Sequence, residues 1–406
     1  MKEIKPEFET FARIKVVGVG GSGNHVISRM IEAGLTGIEF IGINTDSQDL
    51  HHCKASEKIH IGKNLTRGLG AGMNPDVGRQ AAEENRDEIQ DVLKNTDMVF
   101  ITCGLGGGTG TGAAPVIAEA AKEVGALTVA VVTKPFSFEG AQRRKIAEEG
   151  LENLMDQVDT IITIPNDKIL QIIDKKTLLL DSFKIADDIL RQGVQGISDL
   201  ITIPGIVNVD FADVKAIMQN TGSSLMGIGI ASGENRAIQA AKQAINSPLL
   251  ELSIDGAKGV LFNVSGGADL TMTEVNEAAN VITEFIDDEA KVIFGAVTDE
   301  NLKKGDIKVT VIATGFGNQP SKKRIAANDI RKINDLENIL RKEENKDEKD
   351  SNKDIKPEEI NKNDFKETDF EIKRDNNNFS SKINFIETDN EYDVPAFIRK
   401  KIKKEE

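Results

Sequence analysis

Two glycine-rich stretches carry the clearest chemistry in this sequence. The first is Gly104-Leu105-Gly106-Gly107-Gly108-Thr109-Gly110-Thr111-Gly112, in which six of nine residues are Gly and two are Thr. It follows the apolar run Met98–Thr102, which reads as a buried strand, and precedes Ala113–Val124, which reads as a helix. Strand, Gly-rich loop and helix in that order make an anion cradle: glycines admit a close backbone approach, and the free N–H groups of the helix start point at the ligand. The loop has no Lys, so it is not the P-loop pattern GxxxxGK[ST], and its backbone must hold a phosphate unaided. The second stretch, Gly18-Val19-Gly20-Gly21-Ser22-Gly23, satisfies GxGxxG. With Glu39, expected at the end of the following strand, it is by itself the dinucleotide fingerprint and suggests an NAD-dependent oxidoreductase. Two backbone cradles after strands of one parallel sheet better suit a nucleoside triphosphate lying across two strand ends.

A third group is acidic. Asp210 and Asp213 are three positions apart at the start of an expected helix, Ala212–Asn220, so both project to one face. Taken alone they are explained by helix N-terminal capping and the macrodipole. His51, His52, Cys53 and His60 fit no structural zinc spacing and are expected in a solvated loop, so no metal site is assigned. Cys103 reads as a small core residue at a strand end.

The elements that must position these residues alternate in type. Strands are expected at Ile14–Gly20, Ile38–Ile43, Met98–Thr102, Leu127–Thr133 and Thr160–Ile164, with helices at Asn24–Ala33, Val77–Lys94, Ala113–Val124 and Gln142–Val158. This alternation implies a parallel sheet covered on both faces. A long amphipathic helix, 178–198, leads to a second α/β unit. That unit has strands at Ser224–Ile230, Gly259–Val264, Lys291–Val297 and Ile307–Thr314, and helices at Ala212–Asn220, Asn235–Asn246 and Met272–Asp287.

Beyond Gly317 the composition turns to Asn, Lys, Asp and Glu, and residues 318–390 contain no Gly. Such a segment buries too little apolar surface to offset chain entropy, so disorder is expected. Apolar residues return in Asp393-Val394-Pro395-Ala396-Phe397-Ile398, followed by Arg399, Lys400 and Lys401, the pattern of a tethered peptide ligand. The net charge is −15 over 406 residues. Residues 318–406 are nearly balanced, 21 Lys and Arg against 22 Asp and Glu, so the acidity belongs to residues 1–317 and argues against a nucleic-acid surface. Two cysteines suit a reducing cytosol, and neither a signal-peptide core nor a membrane-length apolar run is present.

Gly106–Gly112 resembles the signature loop of the tubulin/FtsZ family of GTPases. Gly20-Gly21-Ser22-Gly23-Asn24, Gly70-Ala71-Gly72, Pro135-Phe136, Ile164-Pro165-Asn166-Asp167, Asn208-Val209-Asp210-Phe211-Ala212-Asp213 and Asp393–Phe397 agree in order and spacing with its bacterial cell-division members. The resemblance covers roughly residues 11–317 and the last dozen. It implies a tubulin-like α/β fold, a GTP-dependent polymerising protein of the division ring, and head-to-tail filaments. Phosphates would be held by Gly20, Gly21, Ser22, Gly23, Asn24, Gly106, Gly107, Gly108, Thr109, Gly110 and Thr111, with Gly72 near the γ-phosphate. Glu139 and Arg143 would flank the ribose and phosphates, Asn166 and Asp187 would bond the guanine, and Phe183 would pack on it. Asn208, Asp210 and Asp213 would act on the nucleotide of a neighbouring subunit by positioning the attacking water.

The resemblance further implies GTP/GDP as ligand, Mg2+ held mainly through the nucleotide, and a possible monovalent cation. It implies a cytoplasmic, mid-cell location and membrane-anchor and regulatory partners that read Asp393–Lys401. A tubulin-like filament for another cargo is the alternative. Ser22 stands where Gly or Ala is usual, and His25 where a small or amide residue is common. The division expected is a leader, 1–12; a GTP-binding domain, 13–177; a central helix, 178–198; a C-terminal α/β domain, 199–317; a disordered linker, 318–390; and a partner-binding peptide, 391–406.

Overall fold

The computed structural model describes residues 12–316 apart from 172–176, 204, 206, 208, 248–253, 255, 288 and 300–301. The expected leader, linker and terminal peptide therefore lie outside the described residues, apart from Ala12 of the leader. In chain order the first half contains β1 (Ile14–Val19), α1 (Gly20–Glu32), β2 (Ile38–Asn44), α2 (Ser47–His52), β3 (Glu57–His60), α3 (Lys63–Thr66), α4 (Pro75–Glu84), α5 (Arg86–Leu93), β4 (Met98–Gly104), α6 (Thr109–Glu123), β5 (Leu127–Lys134), α7 (Ala141–Met155), β6 (Thr160–Pro165) and α8 (Asn166–Ile169). The long helix α9 (Leu179–Thr202) follows. The second half contains α10 (Phe211–Met218), β7 (Gly222–Ser232), α11 (Arg236–Ile245), β8 (Gly259–Gly266), α12 (Met272–Thr283), β9 (Lys291–Thr298) and β10 (Asp306–Thr314).

The apolar runs pair into one ten-stranded sheet, ordered β3-β2-β1-β4-β5-β6-β7-β10-β8-β9. All pairs from β3 through β7 are parallel, as is β8 with β9, while β10 runs antiparallel to both β7 and β8. Alternate strand residues enter cores on opposite faces. Val16 and Phe100 join a core with α1, α9 and α10, and Val17 and Ile101 join a core with α4, α5 and α6. Covering both faces is what a parallel sheet requires. The second half was expected as a separate unit, but its sheet is continuous with the first through β6 and β7, paired at Thr160–Gly222, Ile161–Ser223 and Ile162–Ser224. The two domains thus share a sheet, and α9 lies across it. Its buried residues Ala186, Ile189, Leu190, Val194, Ile197 and Leu200 recur at helical spacing.

Several boundaries differ from the sequence reading for identifiable reasons. The expected helix Val77–Lys94 breaks at Asn85, whose Oδ1 accepts from Gly62 N–H at 3.0 Å while its Nδ2 donates to Glu88 at 2.9 Å. The stretch His51–His60 is not a solvated loop. Asp46 caps α2, Cys53 is buried, and β3 adds an edge strand with Ile59 inside. The central helix runs four residues past 198, to Thr202. Both glycine loops feed their helices earlier than expected, with α1 starting at Gly20 and α6 at Thr109.

The helix starts pack backbone against backbone. A side chain at Gly112 would collide with Pro75 O of α4, and one at Gly108 would lie 2.5 Å from Gly72 O. The substitution Gly112→Ala is therefore expected to cost about 1–3 kcal/mol through overpacking, read as a lower urea midpoint. Gly107→Ala, with no heavy atom within 4 Å of the new Cβ, is expected to stay within about 0.5 kcal/mol. Equal midpoints for the two variants would mean that α4 is free to move aside.

Candidate functional site

The carboxyl ends of β1, β4, β5 and β6 open into a cavity of about 560 Å³, within the range of small-ligand sites. One wall is made of the turns into α1 and α6. Gly20, Gly21 and Ser22 lie beside Gly107, Gly108, Thr109 and Gly110, with Gly72 from the loop before α4. Gly108 N–H donates to Gly72 O at 2.8 Å, which ties that loop to the cradle. The starts of α1 and α6 thus direct free N–H groups and two positive dipole ends at the same space.

The other wall is built from side chains. Glu139 accepts from Phe136 N–H at 2.8 Å through Oε1, and its Oε2 receives Arg143 at 2.5 Å. Phe183 is 38% exposed and meets buried Phe136 edge to face at 5.3 Å. Asn166 is buried and its Oδ1 has no hydrogen-bond partner among the described residues. A buried acceptor left unpaired is costly, so one that lines a cavity fits a ligand carrying an N–H donor. Asp187 sits one turn beyond Phe183 on α9, with Arg29 Nε 3.0 Å from its Oδ2. Burial pushes the Asp187 carboxyl up to about 6, against the opposing pull of Arg29 and His25.

Thirteen of the expected binding residues meet in this cavity. They are Gly20, Gly21, Ser22, Gly72, Gly107, Gly108, Thr109, Gly110, Glu139, Arg143, Asn166, Phe183 and Asp187. Four others stand behind the wall. A side chain at Gly23 would strike Thr102 O, so this glycine lets α1 lie on the sheet. Asn24 is buried, with Nδ2 3.5 Å from Asp49. Gly106, at φ +98°, donates its N–H to Thr111 Oγ1 at 2.9 Å, and this contact shapes the loop. The cavity also contains Arg29, Thr133 and Lys184, which the sequence reading missed. Arg29 follows His25 by one helical turn, a spacing that would have found it once α1 was known to start at Gly20.

The acidic group lies elsewhere. Asp210 caps α10 by accepting from Ala212 N–H at 3.3 Å, and Asp213 is in the first turn; neither lines the cavity. Asn208 is outside the described residues. The far end of α9 reaches the amino edge of the sheet, where Thr202 packs against Gly37, just before β2. The end of α10 is fastened at that same edge. Thr160, the first residue of β6, donates to Met218 O, and Thr314 Oγ1 donates to Ile217 O at 3.1 Å. Asp159 reinforces this anchor by accepting from Thr128 N–H at 2.9 Å and Asn220 N–H at 3.3 Å. With 24 residues, α9 spans about 36 Å between the two edges.

Glu39 is likewise misplaced for a dinucleotide site. It occupies the second position of β2, not its end, and its carboxylate pairs with Lys15 at 3.1 Å. It therefore sits at the amino edge, away from any ribose in the cavity. Among the described residues no cluster of three or more His, Cys, Asp or Glu could hold a metal, and no helix is long and apolar enough to cross a membrane. Cys103 is fully buried, and that burial pushes its thiol up to about 12.

Comparison with known proteins gives the same picture. Residues 13–174 match the GTPase domain of the Tubulin/FtsZ family, and residues 222–317 match the C-terminal domain of the FtsZ family. An empty FtsZ dimer from M. jannaschii is 51% identical, with 75% of this chain and 89% of that chain covered and a TM-score of 0.73. The GDP-bound CetZ1 monomer from Haloferax volcanii shares the fold at 22% identity, 79% and 99% coverage and a TM-score of 0.65. The CetZ2 protofilament with GTPγS, from the same organism, shares it at 20% identity, 80% and 99% coverage and a TM-score of 0.64. The chain is therefore a GTPase and belongs to the FtsZ proteins of the tubulin/FtsZ family.

Proposed function

We propose that this GTPase assembles head to tail into filaments and hydrolyses GTP at the joint between subunits. The observation that carries the reading is the separation of parts. The nucleotide cavity lies at the carboxyl edge of the sheet, and the helix bearing Asp210 and Asp213 is fastened at the amino edge. Stacking subunits amino edge to carboxyl edge brings the two carboxylates, with Asn208, over the neighbour's γ-phosphate. There they position and polarise the attacking water, which is most of what phosphoryl transfer asks of a protein. Such a heterologous contact does not close on itself and yields filaments. The FtsZ relative at 51% identity is a dimer, which supports assembly of this chain with itself.

Within the cavity, the cradles of α1 and α6 take the phosphates and Gly72 approaches the γ-phosphate. Glu139 and Arg143 flank the ribose and phosphates, and Phe183 packs on the base. Asn166 Oδ1 accepts an N–H of guanine, and the Asp187 carboxylate takes the N1–H and amino group. Mg2+ is held mainly through the nucleotide, and a monovalent cation is a further candidate ligand. The filament belongs to the division ring at mid-cell, in the cytoplasm. Asp393–Lys401 is the segment that reads membrane anchors and regulatory division proteins, and its basic end favours anionic headgroups. That peptide favours the division reading over a filament for another cargo. The domain division proposed is 13–177, 178–198 and 199–317, followed by the linker 318–390 and the peptide 391–406.

Three outcomes test this function. Asp213→Ala is expected to bind GTP within about twofold of the parent and to lose turnover by about 100-fold or more, as expected for a group acting in the reaction rather than in binding. Lost affinity would remove the residue from the interface role. Phosphate release per subunit should rise with protein concentration, with light scattering rising in parallel; a rate per subunit that does not change would end the assembly-coupled reading.

The third outcome follows from Asp187. Burial raises its carboxyl to about 6, above the ordinary 3.8, so the folded chain takes up this proton at higher pH than the unfolded chain does, and the group adds stability as pH falls from 6 toward 4. Guanine binding needs the ionised form and changes in the opposite direction. GDP affinity should fall as pH drops below about 6, approaching tenfold per unit. Asp187→Asn should bind more weakly and lose this slope, measured by titration calorimetry.

A further inference from the structure

Thr45 follows β2 and is wholly buried. Its Oγ1 lies 2.6 Å from Oγ1 of Thr109, the residue that opens α6 and lines the nucleotide cavity. Among the described residues Thr109 is the one partner of that hydroxyl. The backbone on either side is pinned. Thr66 Oγ1 lies 3.2 Å from Thr45 O, and the preceding carbonyl, Asn44 O, accepts from Ile61 N–H at 3.0 Å. The next amide, Asp46 N–H, donates to Asn44 Oδ1 at 3.2 Å.

Two hydroxyls share one hydrogen bond, so one of their two protons is used between them and the other must find an acceptor. If Thr109 donates to Thr45, the Thr45 proton is left unpaired in a dry interior, which is the expensive arrangement. If Thr45 donates to Thr109, its own proton is satisfied and the Thr109 proton is free to turn into the cavity. Burial of Thr45 therefore selects the direction of the bond. Donation into the Thr109 oxygen also polarises its O–H toward an anionic acceptor.

We propose that Thr45 is a positioning residue for the nucleotide phosphates: it donates to Thr109 and commits the Thr109 hydroxyl to donating to a phosphate oxygen. This rests on the reading of Gly106–Thr111 as the phosphate cradle. It explains the location of a buried hydroxyl that touches no ligand itself.

The test compares the nucleotide-free full chain with Thr45→Val, which exchanges the hydroxyl for a methyl at nearly constant volume, and with Thr45→Ser, which keeps the hydroxyl. Affinities for GTP, GDP and guanosine are measured by titration calorimetry. Thr45→Val should weaken GTP and GDP binding by about three- to tenfold, the worth of one hydrogen bond, and leave guanosine binding unchanged. Thr45→Ser should stay within about twofold of the parent for all three. In a Thr109→Val background, Thr45→Val should have no further effect on GDP affinity. Unchanged GDP binding in Thr45→Val, equal losses for GDP and guanosine, or additive effects in the double variant would each overturn the proposal. If Thr45→Val does not fold, Thr45→Ala removes the same hydroxyl and is judged by the same ratios. Failure of the unaltered chain to bind GDP more tightly than guanosine would instead overturn the cradle reading.

Discussion

The first turn of α6 touches three other backbone segments at once, and no side chain fits between them. Gly108 bonds to Gly72 O, Gly112 packs on Pro75 at the start of α4, and Gly110 N lies 3.0 Å from where a side chain of Gly20 would begin. This contact holds the two anion cradles side by side and draws Gly72 to their edge. Glycines are needed because any Cβ would part the segments, and at Gly20 the positive φ of 70° adds a backbone reason. The shape of the cavity and the packing of α4 both depend on it.

Anion binding by backbone suits the charge of this chain. Within a strongly acidic globular part, the cavity cations are already engaged by carboxylates: Arg29 with Asp187, Arg143 with Glu139, and Lys184 with Asp181. In the proposed function the phosphate charge falls to helix-start N–H groups, whose direction is fixed by the fold and which lose no side-chain entropy on binding. The side chains instead serve orientation. In the proposed function the Asn166 oxygen, unpaired among the described residues, the partly exposed Phe183 ring and the raised Asp187 carboxyl receive the flat, donor-rich edge of a base.

Sheet polarity links binding to assembly in the proposed function. Parallel strands give the molecule two unlike edges, with ligand chemistry at the carboxyl ends. The central helix begins at the cavity with Phe183 and Asp187 and ends at the other edge beside Gly37. One rigid element thus joins the base-binding wall to the base of α10, while keeping Asp210 and Asp213 out of their own cavity. The anchors at Asp159 and Thr160 add to that rigidity at the edge where a neighbouring subunit would dock.

The sequence by itself determined the strand–glycine loop–helix order at both loops, the long helix and most strands, because that order and helical spacing are local patterns; Asn166, Phe183 and Asp187 were named only through the resemblance to the family. Only the tertiary structure decided which strands are neighbours. It set β4 beside β1 although β2 and β3 intervene in the chain, and it merged the second unit into the first sheet through three residue pairs. It broke the Val77–Lys94 helix at Asn85 through a bond to distant Gly62, and it moved Glu39 to the wrong edge for a ribose. Thr133 and the Thr45–Thr109 pair were illegible for the same reason. Their meaning comes from groups far away in sequence, and a hydroxyl has no periodicity that reveals which distant group it will meet.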